Sequence, residues 1–144
     1  MKTVQNRDAE VERAVLGYVA AWNEDNPDKL ATILEACWAE QGMVISNYET
    51  VVGRRGLYER ISSFRRDNPG IRGYLTSNIE QHHDIFRFTV VAVKPDGRCF
   101  SPALDVGELD ATGRIERIVT FFHELQSPPQ HWPAELVRRE PIVL

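Results

Sequence analysis

Residues 83–125 read HDIFRFTVVAVKPDGRCFSPALDVGELDATGRIERIVTFFHEL, and their pattern determines the predicted architecture of the chain. Apolar and polar residues alternate with the two-residue period of a β-strand in three successive segments. Turn-forming residues separate these segments at Pro95-Asp96-Gly97 and at 110–113. We therefore expect a run of long antiparallel strands in this half of the chain. The predicted strands are 83–93, 98–109 and 114–125.

Upstream of these strands, the apolar period changes to that of a helix. The first helix ends near Pro27, which opens a second helix at its first turn. The second helix is predicted to carry Trp38 at the end of its apolar stripe and to end at Gly42. The stripe of the first helix consists of Val11, Val15, Tyr18 and Trp22. The other predicted elements are a short strand over 43–48, a third helix over about 54–66 and a strand over 72–80.

Helices followed by a meander of strands predict an α+β fold in which the helices cover the apolar face of the sheet. We expect three N-terminal helices packed on a strongly curved antiparallel sheet, which together form a cone with an internal pocket. Such a pocket is the natural place for a small molecule. One domain is predicted over 1–126, followed by an extended, proline-rich tail over 127–144.

Composition excludes several classes of protein. Hydrophobic residues make up 42% and charged residues 26% of the chain, as in ordinary globular domains. The net charge of −4 disfavours nucleic acid as a partner, because phosphate binding needs a basic surface. The pairs Arg54-Arg55 and Arg65-Arg66 are each expected on a solvated helix face. Without a membrane-spanning run or a secretion signal in the sequence, we expect no membrane partner and a cytoplasmic location.

Metal and cofactor sites are not predicted. Consecutive strand residues point to opposite faces of a sheet, so His82-His83-Asp84 cannot converge on one metal ion. The segment GRRG at 53–56 lacks the lysine and the preceding strand of a phosphate-binding loop. Cys37 and Cys99 lie far apart in the chain and are expected to be reduced, buried residues.

Five segments resemble the nuclear transport factor 2-like superfamily, in particular its SnoaL-like polyketide cyclase and ketosteroid isomerase branches. They are YVAAWN at 18–23, CWAE at 37–40, VGR at 52–54, ALDV at 103–106 and the strand from Gly113 to Phe122. The resemblance covers residues 10–124 in the right order of elements, and it implies that 1–126 is a SnoaL-like domain of the cystatin-like, cone-shaped fold. It also implies a homodimer through the outer face of the sheet, for which Ile85, Val91 and Val93 would supply apolar area.

The resemblance also implies roles for individual residues. In steroid isomerases of this fold, a tyrosine on the first helix and a protonated aspartic acid on a late strand donate hydrogen bonds to an enolate oxygen. These positions fall on Tyr18 and Asp105, and we take both as candidate catalytic residues. The general base of that branch falls on Ser46, which cannot shuttle a proton without an activating partner. The final-strand aspartate of the epoxide hydrolase branch falls on Thr120.

A second set of residues is predicted to bind the ligand: Trp22, Trp38, Ser46, His83, Thr120 and Phe122. Alternatives stay open for several of them. Tyr18 and Trp22 line the pocket or belong to the core, and Trp38 packs between the second helix and the sheet or contacts the pocket. His83 either forms a hydrogen bond near the rim or acts as an acid or base. Ser46 contacts the ligand or satisfies local backbone groups.

Two functions from different classes follow. The first is a cofactor-independent cyclase or isomerase that acts on a small apolar carbonyl compound through Asp105 and Tyr18. The second is a non-catalytic module for a small ligand or a protein partner, which keeps the fold but has lost the base at Ser46. An inward-facing Asp105 that meets Tyr18 inside an enclosed cavity favours the enzyme, whereas an Asp105 exposed to solvent favours the module.

Overall fold

A computed structural model describes residues 3–122 of the chain. Three helices and seven strands form an α+β fold, as predicted. In chain order they are α1 (Val4–Trp22), α2 (Pro27–Cys37), β1 (Trp38–Ser46), β2 (Thr50–Val52), α3 (Gly53–Asp67), β3 (Arg72–Leu75), β4 (Glu80–His82), β5 (Ile85–Val93), β6 (Cys99–Leu109) and β7 (Ile115–Phe122). The predicted tail, 127–144, lies outside the described residues.

The seven strands form one curved sheet in the order β2-β1-β7-β6-β5-β3, and β4 pairs with β5 beside β3. The prediction of a purely antiparallel sheet is wrong at one place, because β1 and β7 are parallel. Parallel neighbours need a long crossover between them. Here α3 and the strands β2 to β6 provide it, so the first and last long strands meet in the middle of a mixed sheet.

The end of the second helix is a further correction. Helix α2 ends at Cys37, and Trp38 opens β1 with extended φ and ψ angles of −118° and 129°. Gly42 does not end a helix but leaves room for an indole, since a Cβ atom there would lie 2.5 Å from Nε1 of Trp38. The pairing of β1 with β7 shifts register between Trp38 and Met43, which indicates a bulge at this point.

The predicted strand over 72–80 is two short strands, and both pair with β5. His83 and Asp84 do not belong to β5 but form the turn between β4 and β5, with positive φ angles of 50° and 65°. Contacts with other elements hold this turn: Arg7 Nε donates to Asp84 Oδ1 at 2.6 Å, and the Leu109 N–H donates to the Asp84 carbonyl at 3.1 Å.

The core lies between the helices and the inner face of the sheet. Its largest fully buried side chains include Trp38, Phe86, Phe88, Leu30 and Leu34. Asn26 caps α2, because its Oδ1 accepts hydrogen bonds from the N–H groups of Asp28 and Lys29 at 3.0 Å. No helix within residues 3–122 combines the length and the apolar character needed to cross a bilayer.

Candidate functional site

A cavity of about 620 Å³ lies between α1, α3 and the inner face of the sheet. This volume is within the range of small-molecule sites, which is roughly 300–1,000 Å³. Trp22 contacts Phe64 edge to face with ring centroids 5.5 Å apart, and Phe64 contacts Phe100 at 6.2 Å. The cavity is therefore largely aromatic. Its aromatic residues are Tyr18, Trp22, Tyr48, Phe64, Phe100 and Phe122.

Four residues in register form a row across the inner face of the sheet. Ser46 of β1 pairs with Thr120 of β7, Thr120 pairs with Asp105 of β6, and Asp105 pairs with Phe88 of β5. Asp105 and Thr120 are both buried. Because side chains alternate between the faces of a strand, this register turns both polar groups toward the cavity. The side chain of Asp105, whose direction the sequence left open, therefore points into the cavity.

Asp105 is a buried carboxyl group without a cationic neighbour in the described part of the chain. Only 3% of its surface is exposed, and Thr120 Oγ1 donates a hydrogen bond to its Oδ1. Burial raises the pKa of Asp105 to about 6, although the Thr120 hydrogen bond opposes the rise. No other hydrogen-bond partner for Asp105 occurs among residues 3–122, which leaves Oδ2 available to a ligand.

Tyr18 places its phenol in the same cavity. Its ring stacks on Trp38 with centroids 5.5 Å apart and meets Phe88 edge to face at 6.5 Å. Burial raises the pKa of Tyr18 well above its usual value, and the nearby charge of Asp105 raises it further. The phenol therefore stays protonated and can donate a hydrogen bond. Within residues 3–122, no hydrogen bond joins Tyr18 to Asp105. The phenol and the protonated carboxyl group can therefore each donate a hydrogen bond to a ligand in the cavity.

Ser46 lines the cavity, but its hydroxyl belongs to a turn. Ser46 Oγ accepts hydrogen bonds from the N–H groups of Tyr48 and Glu49 at 3.2 and 3.3 Å, and it donates to the Glu49 carbonyl at 3.3 Å. These bonds satisfy the backbone between β1 and β2. The structure therefore gives Ser46 a local role and offers it no base that could activate it within the described residues.

Two predicted ligand contacts lie away from the cavity. Trp38 is fully buried behind Tyr18, because β1 starts at this residue and directs the indole into the core. His83 is exposed in the turn between β4 and β5, where its Nδ1 lies 3.1 Å from Nδ1 of His82. Neither residue lines the cavity, contrary to the prediction. Trp22, Thr120 and Phe122 line the cavity, as do the candidate catalytic residues.

Arg65 is a cavity-lining residue that the sequence analysis missed. The sequence predicts a solvated helix face for Arg65 and Arg66, yet only 6% of the Arg65 surface is exposed. The overlooked signal is the spacing of Leu57, Ile61 and Arg65, which follow each other at intervals of four and therefore share the buried face of α3. Arg60 and Glu49 also line the cavity and form an ion pair with each other.

Solved structures with the same fold were found in a comparison. A protein of the SnoaL-like family from Agrobacterium tumefaciens is 27% identical, with a TM-score of 0.75 over 81% of this chain and 99% of that one. A protein of unknown function with a cystatin-like fold from Methylobium petroleophilum is 14% identical, with a TM-score of 0.67 over 94% of this chain and 93% of that one.

A third similar structure comes from Catenulispora acidiphila and was solved in complex with trimethylamine. It has a ketosteroid isomerase-like fold, is 17% identical and gives a TM-score of 0.60 over 74% of this chain and 82% of that one. At such identities, the similarity shows the fold alone. No family model matches the sequence, and no curated protein matches it either.

Proposed function

We propose that this chain, which has the fold of the nuclear transport factor 2-like superfamily, binds a small, largely apolar molecule through a carbonyl oxygen at Asp105. The observation that carries this proposal is the buried carboxyl group at the wall of an aromatic cavity. An unpaired acid in such a place destabilises the fold whenever it is ionised. A ligand that accepts a hydrogen bond from the protonated acid would offset that cost.

The chemistry available to Asp105 and Tyr18 is hydrogen-bond donation to an oxygen that gains negative charge. A protonated carboxyl group and a phenol can both stabilise an enolate formed from a bound ketone. A pKa of about 6 also lets Asp105 give or take a proton close to neutral pH. Because Ser46 supplies no base, the proposed enzyme uses the ionised form of Asp105 to take the proton from the carbon next to the carbonyl. The carboxylic acid so formed and Tyr18 then donate hydrogen bonds to the enolate oxygen, and Asp105 returns the proton to carbon, as a cofactor-independent cyclase or isomerase requires.

The alternative is a binding module without catalysis. It is favoured by the position of Ser46, whose hydroxyl is taken up by the turn between β1 and β2. In this case the cavity holds its ligand, and Asp105 contributes only recognition.

One experiment separates the two functions. Acetylnaphthalene is a rigid aromatic ketone of suitable size, and its binding can be followed by calorimetry. Exchange of its methyl protons in D₂O, followed by NMR, reports enolate formation. Saturable binding together with methyl-proton exchange faster than in buffer alone supports the enzyme. Saturable binding with no such acceleration supports the module.

Asp105→Leu is the test variant, and Asp84→Asn is its control. Asp105→Leu keeps the approximate shape of the side chain but removes the donor, so binding should weaken by about tenfold or more. Asp84→Asn changes an exposed acid outside the cavity and should bind the ketone as the wild type does. If the wild-type chain binds no ketone at millimolar concentration, the proposed function is wrong.

A further inference from the structure

Thr120 holds one oxygen of the candidate acid, and the proposed function gives this residue no task of its own. Thr120 lies on β7 directly opposite Asp105 of β6, and only 6% of its surface is exposed. Its Oγ1 donates a hydrogen bond to Oδ1 of Asp105. Ser46, the next residue in this row, keeps its hydroxyl in the turn between β1 and β2. Within residues 3–122, the side chains of Asp105 and Thr120 therefore form hydrogen bonds only with each other.

The direction of this hydrogen bond follows from the acceptors within reach. A threonine hydroxyl has one hydrogen to donate, and a buried donor without an acceptor destabilises the fold. In the described part of the chain, Oγ1 of Thr120 has no partner other than Oδ1 of Asp105. The hydroxyl hydrogen therefore points at Oδ1 in both ionisation states of the acid. The proton of the neutral carboxyl group is left to Oδ2.

Oδ2 of Asp105 is the oxygen that a ligand can reach. Asp105 lines the cavity, and its Oδ2 has no hydrogen-bond partner within residues 3–122. Among these residues, the side-chain nitrogen and oxygen atoms that are fully enclosed without a partner are Nε1 of Trp38 and Nη2 of Arg65. Because Oδ2 is not one of them, some of its surface stays open to the cavity.

The ionisation of Asp105 depends on burial and on this one hydrogen bond. Burial raises its pKa to about 6, and the Thr120 hydroxyl opposes the rise. Tyr18 of α1 faces the acid with a phenol that stays protonated, and Phe88 of β5 is uncharged. The other charged residues of the cavity wall all have ion-pair partners and do not shift the pKa of Asp105. They are Glu49, Arg60, Arg65 and Asp67.

We infer that Thr120 is a positioning residue, which holds Oδ1 of Asp105 so that Oδ2 alone exchanges the proton with the ligand. This inference rests on the proposed function and adds a residue to its acid–base machinery. The proton that leaves the carbon next to the carbonyl moves to Oδ2, its bonding electrons stay in the enolate, and Oδ2 returns the proton to carbon. The Thr120 hydroxyl stays on Asp105 throughout and transfers no proton, so its role differs from the ligand contact predicted from the sequence.

Thr120→Val removes the hydroxyl but keeps a branched side chain of similar size. The carboxylate then loses its donor, so the midpoint of the Asp105 ¹³Cγ titration should rise from near pH 6 to about pH 7 or higher. More of the acid is then protonated at pH 8, where the variant should bind acetylnaphthalene up to about tenfold more tightly than the wild type. At pH 5 the two affinities should agree within about twofold. A merely structural role of Thr120 would weaken binding at both pH values.

Thr120→Ser keeps the hydroxyl and should leave the midpoint near pH 6. Thr89→Val is the matched control, because the Thr89 hydroxyl lies 2.8 Å from Oγ1 of Thr76 and does not contact Asp105, so the midpoint should not move. The inference is overturned if the midpoint of Thr120→Val stays near pH 6. It is also overturned if Thr120→Ser raises the midpoint as far as Thr120→Val does.

A measurement on the wild-type chain decides the matter if Thr120→Val does not fold. The hydroxyl proton resonance of Thr120 should move downfield with the same midpoint as Asp105, because its acceptor gains a charge. A hydroxyl resonance that stays constant between pH 4 and pH 8 would overturn the inference. These titrations need no ketone. If the ketone binds but the midpoint does not depend on Thr120, the inference alone fails; if the wild type binds no ketone, the proposed function fails.

Discussion

Burial of Asp105 links the candidate chemistry to the stability of the fold. Burial raises its pKa to about 6 in the folded chain from an ordinary value of 3.8, so the folded state holds this proton more tightly than the unfolded state. At 1.36 kcal/mol per pKa unit, the ionised carboxyl costs about 3 kcal/mol of folding free energy. The stability associated with the protonated form is complete below the unfolded pKa and is lost as the pH rises from about 4 to 6.

Asp105→Asn should therefore stabilise the protein at pH 8 by up to about 3 kcal/mol, because the amide is neutral and can still accept from Thr120. At pH 4 the gain should fall to below about 1 kcal/mol. Urea unfolding at the two pH values measures both. An equal effect at pH 4 and pH 8 would mean that the ionisation of Asp105 is not the cause.

Tyr18→Phe separates the hydroxyl group from the ring. The stacking on Trp38 and the edge contact with Phe88 remain, so the free energy of unfolding should change by less than about 1 kcal/mol. Affinity for acetylnaphthalene should fall by roughly tenfold, since one donor to the carbonyl oxygen is lost. Calorimetry on the variant checks this, and unchanged affinity would remove Tyr18 from the site.

The resemblance selected Tyr18 and Asp105 as candidates, whereas the residue pattern alone left open whether Tyr18 belongs to the core and whether Asp105 faces the solvent. Arg65 was missed for a different reason. A charged pair in sequence is typical of a solvated face, and only the position of α3 against the core shows that one member of the pair is buried.

At the scale of elements, the turn between β1 and β2 explains why the position of a general base is occupied by serine. The hydroxyl of Ser46 accepts two backbone N–H groups, a task for which serine is well suited. Sequence periodicity located the helices and the long strands but misplaced the ends of α2 and β5. Trp38 and His83 lie at those ends, where a bulge and a tight turn depend on contacts with distant elements.

Ser46→Ala tests the local role of this hydroxyl. We expect a loss of about 1 kcal/mol in the free energy of unfolding, because two backbone donors lose their acceptor at a partly exposed turn. Ketone affinity and proton exchange should stay within about twofold of the wild type. A variant with normal stability but much slower exchange would show instead that Ser46 takes part in the chemistry.

At the scale of the whole molecule, the outer face of the sheet carries a second apolar surface. Leu104 pairs with Phe121 and Val106 pairs with Val119, on the side opposite Asp105 and Thr120. Phe121 is 53% exposed on this face. The alternation of β6 and β7 could predict this surface. Whether a second chain covers it depends on shape over the entire face, which no single strand determines, so the homodimer stays a prediction.

Phe121→Asp places a charge on the outer face of the sheet, through which the homodimer is predicted. Sedimentation velocity should show a dimer for the wild-type chain and a monomer for this variant. Leu16→Asp is the control, because Leu16 is 47% exposed on α1 and lies away from the sheet face, and it should leave the dimer intact. A wild-type chain that sediments as a monomer at micromolar concentration would contradict the prediction.

The state of one proton underlies both the proposed chemistry and its cost to the fold. A pH titration of the ¹³Cγ resonance of Asp105, assigned by its loss in Asp105→Asn, follows that proton with and without acetylnaphthalene. We predict a midpoint near pH 6 in the free chain and a higher midpoint with the ketone, because the ketone binds the protonated acid. A midpoint near pH 4, or one that the ketone leaves unchanged, would contradict the account.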